Sequence, residues 1–293
     1  MKLIRYRSPI DGFPRMGRVE DNVVYELENP DFLDIINPIT DEPTNIIRSR
    51  WRYRLDVIEP LLLRPIRPSK LVGFGVTYER AKGRGKEKED VGKVTVSDPY
   101  EKVYYAERPE IFKKGDAKDC AGPSEPLYLR EDAIYPTPEA ELVIVVGYGS
   151  VPVAYSLGND FTDRGIELEN PLYLPQAKTS AKCASLGPSL MIPDKIDQFD
   201  PFNLEIILQV IRGKEVIFEG KQNTSQMRRK TEIMDYLFRG STIPAGSVAF
   251  TGTGIPPIPE PGLQHGDVVE IYADPIGLLR NPILEYKRPL LSK

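Results

Sequence analysis

Glu139 and Glu141 stand two residues apart at the head of the apolar run EAELVIVV. On a strand, residues two apart point to the same face. Two adjacent carboxylates repel each other unless a cation lies between them. An isolated Glu-x-Glu is most often a solvated strand edge, so the pair alone decides little. Asp160 adds to it, because it ends a second apolar run, VAYSLGND, and opens the polar turn FTDRGIE. Three carboxylates with no His or Cys beside them suit a hard, oxygen-loving ion such as Mg²⁺, Mn²⁺ or Ca²⁺. An octahedral ion on three carboxylates keeps positions for water or substrate, which is an open, catalytic arrangement.

Composition removes other chemistries. The 293 residues are 40% hydrophobic and 28% charged, as in ordinary soluble domains. A net charge of −4 without a long basic run excludes nucleic acid as the expected partner. The start, MKLIRYRSPIDGF, carries charges inside its apolar stretch and does not read as a signal peptide. No apolar run reaches the length of a membrane span. Cys120 and Cys183 are too few for a disulfide framework, so the cytoplasm is the expected compartment. One histidine, His265, excludes a His-based zinc site and leaves a Ser or Cys hydrolase a single base. It lies in LQHGDVVEIY, where a turn residue at a strand start is the favoured reading.

The elements that must position these acids are mostly strands. Residues 1–66 read as a small separate unit, with MKLIRYR and NVVYEL as strands and a helical patch from Trp51 to Leu63. PIRPSK is the linker, and residues 67–293 form the main domain. There LVGFGVTY opens a series of short β-rich runs broken by Gly and Pro. GFG is not a dinucleotide loop, because no helix-opening G-x-G-x-x-G follows. Residues 81–102 are polar and glycine-containing and read as a surface loop, either a lid or a solvated insertion. The clearest helix lies in TSQMRRKTEIMDYLFRG, with Thr224 or Ser225 as its cap and Gly240 as its end. The fold class is therefore α+β, mostly β, and not a doubly wound sheet.

From Lys70 to about Lys287 the chain resembles the fumarylacetoacetate hydrolase superfamily. The matching pieces are VGFGVTY, RPEIFKK, PEAELVIVV, GNDFTDRGIE, the lysine before ASLGP, TSQMRR, FTGTG and HGDVVEI. YAERPEIFKK and ENPLYLPQAK are similar to its branch of 2-keto-3-deoxy-pentonate dehydratases. The resemblance implies a β-roll, a homo-oligomer (dimer or tetramer) and metal ligands at Glu139, Glu141 and Asp160. It also implies a divalent-metal-dependent lyase of pentose catabolism that turns a 2-keto-3-deoxy sugar acid, such as 2-dehydro-3-deoxy-D-arabinonate, into 2,5-dioxopentanoate.

In such a reaction the substrate's carboxylate and 2-oxo oxygen bind the metal, a C3 proton leaves, and the C4 hydroxyl follows. The resemblance places Glu110 and Lys178 at the site, and groups beside a metal can be tuned for proton transfer. Which of them is the base stays open; a surface acid and an exposed ion pair are the bland readings. Thr77, Tyr78, Thr251 and Thr253 offer hydroxyls for the substrate, unless Gly252 and Gly254 merely form a turn. Arg164 either clamps a carboxylate or braces the metal turn.

Two departures bear on activity. Hydrolases of the superfamily carry a histidine where this chain has Ala81, so water activation lacks its usual base. That disfavours the alternatives on the same scaffold, a C–C hydrolase or a 2-oxo-acid decarboxylase. Thr162-Asp163-Arg164-Gly165 replaces the more usual Ser-Ser/Ala-Arg-Asp, which points to a difference in substrate preference. A non-enzymatic sugar-acid-binding protein is the third reading, and the retained acids and Lys178 argue against it.

Overall fold

The computed structural model describes residues 1–44, 46–79, 99–193, 199–228, 230, 232–240 and 242–287. Ala81 and most of the expected 81–102 loop lie outside them. The fold is mostly β, as the Gly- and Pro-broken apolar runs predict.

The largest sheet holds the acids. Across it the strands run Arg48–Arg54, Val23–Leu27, Pro14–Glu20, Lys2–Arg7, Ala184–Met191, Pro152–Asp160, Ala140–Val146, Val248–Phe250, Leu71–Gly75 and Glu110–Gly115. A second sheet is built from Glu215–Asn223, Glu205–Arg212, Val268–Ala273, Gly277–Glu285 and Leu127–Leu129. Ala140–Val146 is buried along its whole length, and its period of two feeds two cores. Leu142 and Ile144 pack with Ile206, Leu208 and Ile271 of the second sheet. Val143 and Val145 pack the other way, with Leu3, Met16, Leu27 and Phe32. Each such side chain contributes about 1.5–3 kcal/mol on burial, so this strand is anchored on both of its faces.

The N-terminal strands pair with the main sheet through Lys2↔Met191 and Leu3↔Leu190. They also enclose a cluster of their own, Ile4, Tyr6, Val24 and Ile58. Asp41 reaches across to the turn of the central hairpin and accepts from Tyr148 N (2.5 Å) and Gly149 N (2.6 Å). Gly147 is needed there, because a Cβ would overlap the Asp41 carboxylate.

Four local expectations change. Arg48–Arg54 is a strand paired to Val23–Leu27, so the patch from Trp51 is not a helix until Leu55–Ile58. Strand pairing overrides the helical look of that segment. The expected helix begins only at Glu232 and ends at Phe238. Thr224 caps nothing there: it sits in a single 3₁₀ turn and its hydroxyl accepts from Leu204 N. Pro99–Tyr105, at the end of the expected loop, is helical. FTDRGIE is not a turn but a short strand followed by the helix Arg164–Glu169.

Candidate active site

Strand register assembles the acids. Glu141 pairs with Gly158 and Ala140 with Asn159, which sets Glu139 beside Asp160 across the hairpin. Asp160 N donates to Glu139 O (2.9 Å), and Glu139 N donates to Asn159 Oδ1 (3.0 Å). Oxygens of Glu139, Glu141 and Asp160 lie within 4.8 Å of one another. Glu141 and Asp160 are both 1% exposed. The Glu141 carboxylate accepts from Gly252 N (2.7 Å). Gly252 has φ +90°, a conformation that suits glycine, and its backbone N–H is aimed by that turn.

The set fits a divalent ion of the hard class. The ligand atoms are all carboxylate oxygens, and three carboxylates this close, two of them buried, repel one another unless a cation lies between them. Burial, then the neighbouring Asp160 and Glu139, push the Glu141 carboxyl well above the usual range.

Lys178 closes the group. It ends the helix Leu174–Lys178, and its ammonium donates to Glu139 Oε2 (2.8 Å), Asp160 Oδ2 (3.0 Å) and Thr162 Oγ1 (2.7 Å). All three of its protons are used. Burial would lower its pKa, but Asp160, Glu139 and Glu167 outweigh that and hold it well above the usual lysine value.

Glu110 opens the edge strand Glu110–Gly115 and faces the same cavity. Burial raises its pKa, with Lys178 opposing. Gly75 pairs with Glu110 and Gly73 with Phe112; a Cβ at either glycine would overlap the partner's side chain. The two glycines of LVGFG thus let Glu110 and Phe112 lie over the strand, with the Phe112 ring centroid 5.3 Å from the Lys178 ammonium.

Glu110, Lys178, Glu139, Asp160, Arg164 and Thr253 line one cavity. Thr77, Tyr78 and Thr251 do not. The Thr77 hydroxyl donates to Thr251 O (2.6 Å) and that of Thr251 to Leu142 O (2.8 Å), so both secure the Gly252 turn. Tyr78 is 2% exposed, with its ring against Gly254. His265 accepts from Glu285 N (3.2 Å) at the surface, as a turn residue would.

Sequence reasoning missed three residues. Lys114, fully buried, pairs with Asp160 Oδ1 (2.7 Å) and donates to Phe161 O (2.7 Å) and Lys178 O (2.8 Å). Burial would raise the Asp160 pKa, but Lys114 and then Lys178 hold it below the usual range. The signal was available: Glu110, Phe112 and Lys114 are spaced by two and share a strand face. Glu167 lies in the same cavity, one helical turn after Arg164, a spacing that puts both on one face. Tyr100, hydrogen-bonded to Glu167, completes that wall, and nothing in its local sequence marks it.

Residues 83–284 match the fumarylacetoacetate (FAA) hydrolase C-terminal family, and the chain belongs to that family. It is 40% identical over 228 residues to the 2-dehydro-3-deoxy-D-arabinonate dehydratase of Saccharolobus solfataricus, covering 78% of this chain and 76% of that protein. It is 33% identical over 291 residues to a probable 2-keto-3-deoxyxylonate dehydratase of Haloferax volcanii, covering 95% and 98%. The structure of a 2-keto-3-deoxy-D-arabinonate dehydratase complexed with magnesium and 2,5-dioxopentanoate superposes with a TM-score of 0.84 at 32% identity, over 98% of this chain and 100% of that one.

Proposed function

We infer that this chain is a divalent-metal-dependent hydro-lyase that converts a 2-keto-3-deoxy pentonate, such as 2-dehydro-3-deoxy-D-arabinonate, into 2,5-dioxopentanoate. The observation that carries the reading is the close Glu139–Glu141–Asp160 group beside a cavity that Glu139, Asp160, Lys178 and Glu110 line, in a chain 40% identical to a dehydratase of that substrate. Magnesium is the expected ion, held by the three carboxylates, and it would supply Lewis-acid polarisation of the 2-oxo group.

The chain's own residues then divide the work. Lys178 offsets the negative charge that three ligand carboxylates and a substrate carboxylate bring together. Glu110 and Lys178 exchange protons at C3 and with the departing C4 hydroxyl; a carboxyl raised by burial is suited to that role near neutral pH. Arg164 and Thr253 hold the polar groups of the substrate, while Thr77, Tyr78 and Thr251 act through the Gly252 turn. Residues 1–66 form a small unit that completes the sheet, and residues 67–293 carry the chemistry. The protein works in the cytoplasm, as a homo-oligomer, in pentose breakdown.

The test is direct. Purified protein with Mg²⁺ and either D- or L-2-keto-3-deoxy-arabinonate should yield 2,5-dioxopentanoate, and chelation should stop it. No product from either isomer, together with cleavage of an acylpyruvate, would replace the dehydratase reading with a hydrolase.

A further inference from the structure

The dehydratase reading leaves a chemical remainder. Loss of the C3 proton and the C4 hydroxyl gives a C3=C4 alkene conjugated to the 2-oxo group, with C5 still a primary alcohol. The 2,5-dioxo product has an aldehyde at C5. Reaching it requires a second reaction with no external oxidant. A C5–H bond must break, its electron pair must form C4=C5, and the C3=C4 pair must move toward C2 until C3 takes a proton. The resulting enol then loses its O–H proton as C4 gains one. C5 is oxidised while C3 and C4 are reduced, and the protons balance. A base is therefore needed at C5, the end of the substrate farthest from the metal.

Glu139, Glu141 and Asp160 fix where the carboxylate end lies. The Tyr100–Glu167 pair lines the same cavity. Tyr100, Glu110 and Glu167 also line an adjoining, more apolar chamber formed with Val76, Val103, Pro171 and Leu174. Glu167 thus stands where the cavity meets a chamber with room for the C5 end of a five-carbon acid. Tyr100 is hydrogen-bonded to Glu167, whose Oε2 is shielded from solvent and has no hydrogen-bond partner among the described residues. A carboxyl on the wall of a cavity, with one shielded oxygen left over, lacks a structural explanation.

We propose that Glu167, oriented by Tyr100, is the catalytic group that removes the C5 proton and so converts the first elimination product into the C5 aldehyde, 2,5-dioxopentanoate. Burial raises its pKa, with Lys178 opposing that shift, which makes it a stronger base than an ordinary carboxylate. Glu110 and Lys178 remain with C3 and C4.

The test uses the full-length, magnesium-loaded enzyme and follows two signals. Vinyl protons and near-ultraviolet absorbance report the conjugated 5-hydroxy-2-oxo-3-pentenoate, and an aldehyde reagent reports 2,5-dioxopentanoate. In E167Q, water loss should stay within about threefold of wild type, the enone should accumulate, and aldehyde formation should fall by about 100-fold or more. Glu167→Asp should recover part of that loss, and Tyr100→Phe should show a milder form, about tenfold. An unchanged magnesium-induced thermal shift in E167Q establishes that the variant is folded and loaded. Aldehyde formation at the wild-type rate in E167Q overturns the proposal. So does an equal fall of both signals with no enone, which would assign Glu167 to the elimination instead. If wild type itself yields neither signal, the dehydratase reading fails, and the proposal that rests on it fails too.

Discussion

Two settings for carboxylates in this molecule contrast, a lone buried acid and a cluster. Glu26, in the N-terminal unit, is 6% exposed and is met by the Tyr6 hydroxyl (3.0 Å), the Ser49 hydroxyl (3.4 Å) and the Arg15 guanidinium (4.0 Å). It stands alone among donors and is not in the acid-lined cavity. At the acid-lined cavity, Glu139, Glu141 and Asp160 crowd together, with Glu110 and Glu167 nearby, and share Lys178 and Lys114. The first arrangement is complete as it stands. The second has more acid than its own cations can balance, and it surrounds a cavity. A buried acid surrounded by its own donors holds a fold together, whereas several acids sharing too few donors around a cavity mark a site for an external cation.

Removing charge should separate the two regions, most of all at Glu141. Glu141→Gln should abolish measurable Mg²⁺ binding by calorimetry and lower activity by about 100-fold or more, while the metal-free protein stays folded. A variant that still binds the ion would take Glu141 out of the site. Lys114→Met comes next. It leaves the buried Asp160 with only Lys178, shared with Glu139, as a cationic partner, and denaturant unfolding of the metal-free protein should report a loss of about 3 kcal/mol. Tyr6→Phe removes one of several donors to Glu26 and should cost about 1–2 kcal/mol without any change in metal affinity. Equal losses from Lys114→Met and Tyr6→Phe would erase the distinction.

The smallest effect is a pH dependence. Burial raises the Glu110 carboxyl above its ordinary 4.5 in the folded state. At pH above the raised value, the ionised, buried side chain lowers stability relative to the unfolded chain. As pH falls through that value toward 4.5, the penalty disappears. The metal-free wild type, less stable than Glu110→Gln at higher pH, should therefore catch up with that variant as pH falls over that window, visible as converging unfolding curves. Parallel curves would mean that Glu110 titrates as an ordinary surface acid.

Much of this was legible in the sequence, because strand periodicity is a local signal. Glu139 and Glu141 could be put on one face from spacing alone, and Asp160 at the end of the partner run. The same rule reaches Lys114 through Glu110 and Phe112, although only a buried edge strand makes that lysine meaningful. Glu167 was hidden by reading DFTDRGIE as a turn. Asp163 is what turns it into a helix, since its carboxylate accepts from Gly165 N and Ile166 N and also from Ile134 N and Tyr135 N. That second pair comes from a segment about thirty residues earlier, beyond the reach of a local pattern. The strand Arg48–Arg54 was missed for the same reason, its partner being Val23–Leu27. Thr77 and Thr251 were singled out for their hydroxyls, but tertiary contact directs those hydroxyls to carbonyl oxygens.

The Asp41 carboxylate grips the backbone of Tyr148 and Gly149, at the closed end of the hairpin whose open end carries Glu139 and Asp160. A hairpin behaves as a pair of tongs: what fixes the pivot fixes the spacing of the jaws. The loop around Asp41 contributes no residue to the acid-lined cavity, yet by fixing the pivot it steadies the spacing of the two jaw carboxylates. Sequence drift in that loop would therefore be felt at the opposite end of the hairpin, as a change in how tightly the ion is held.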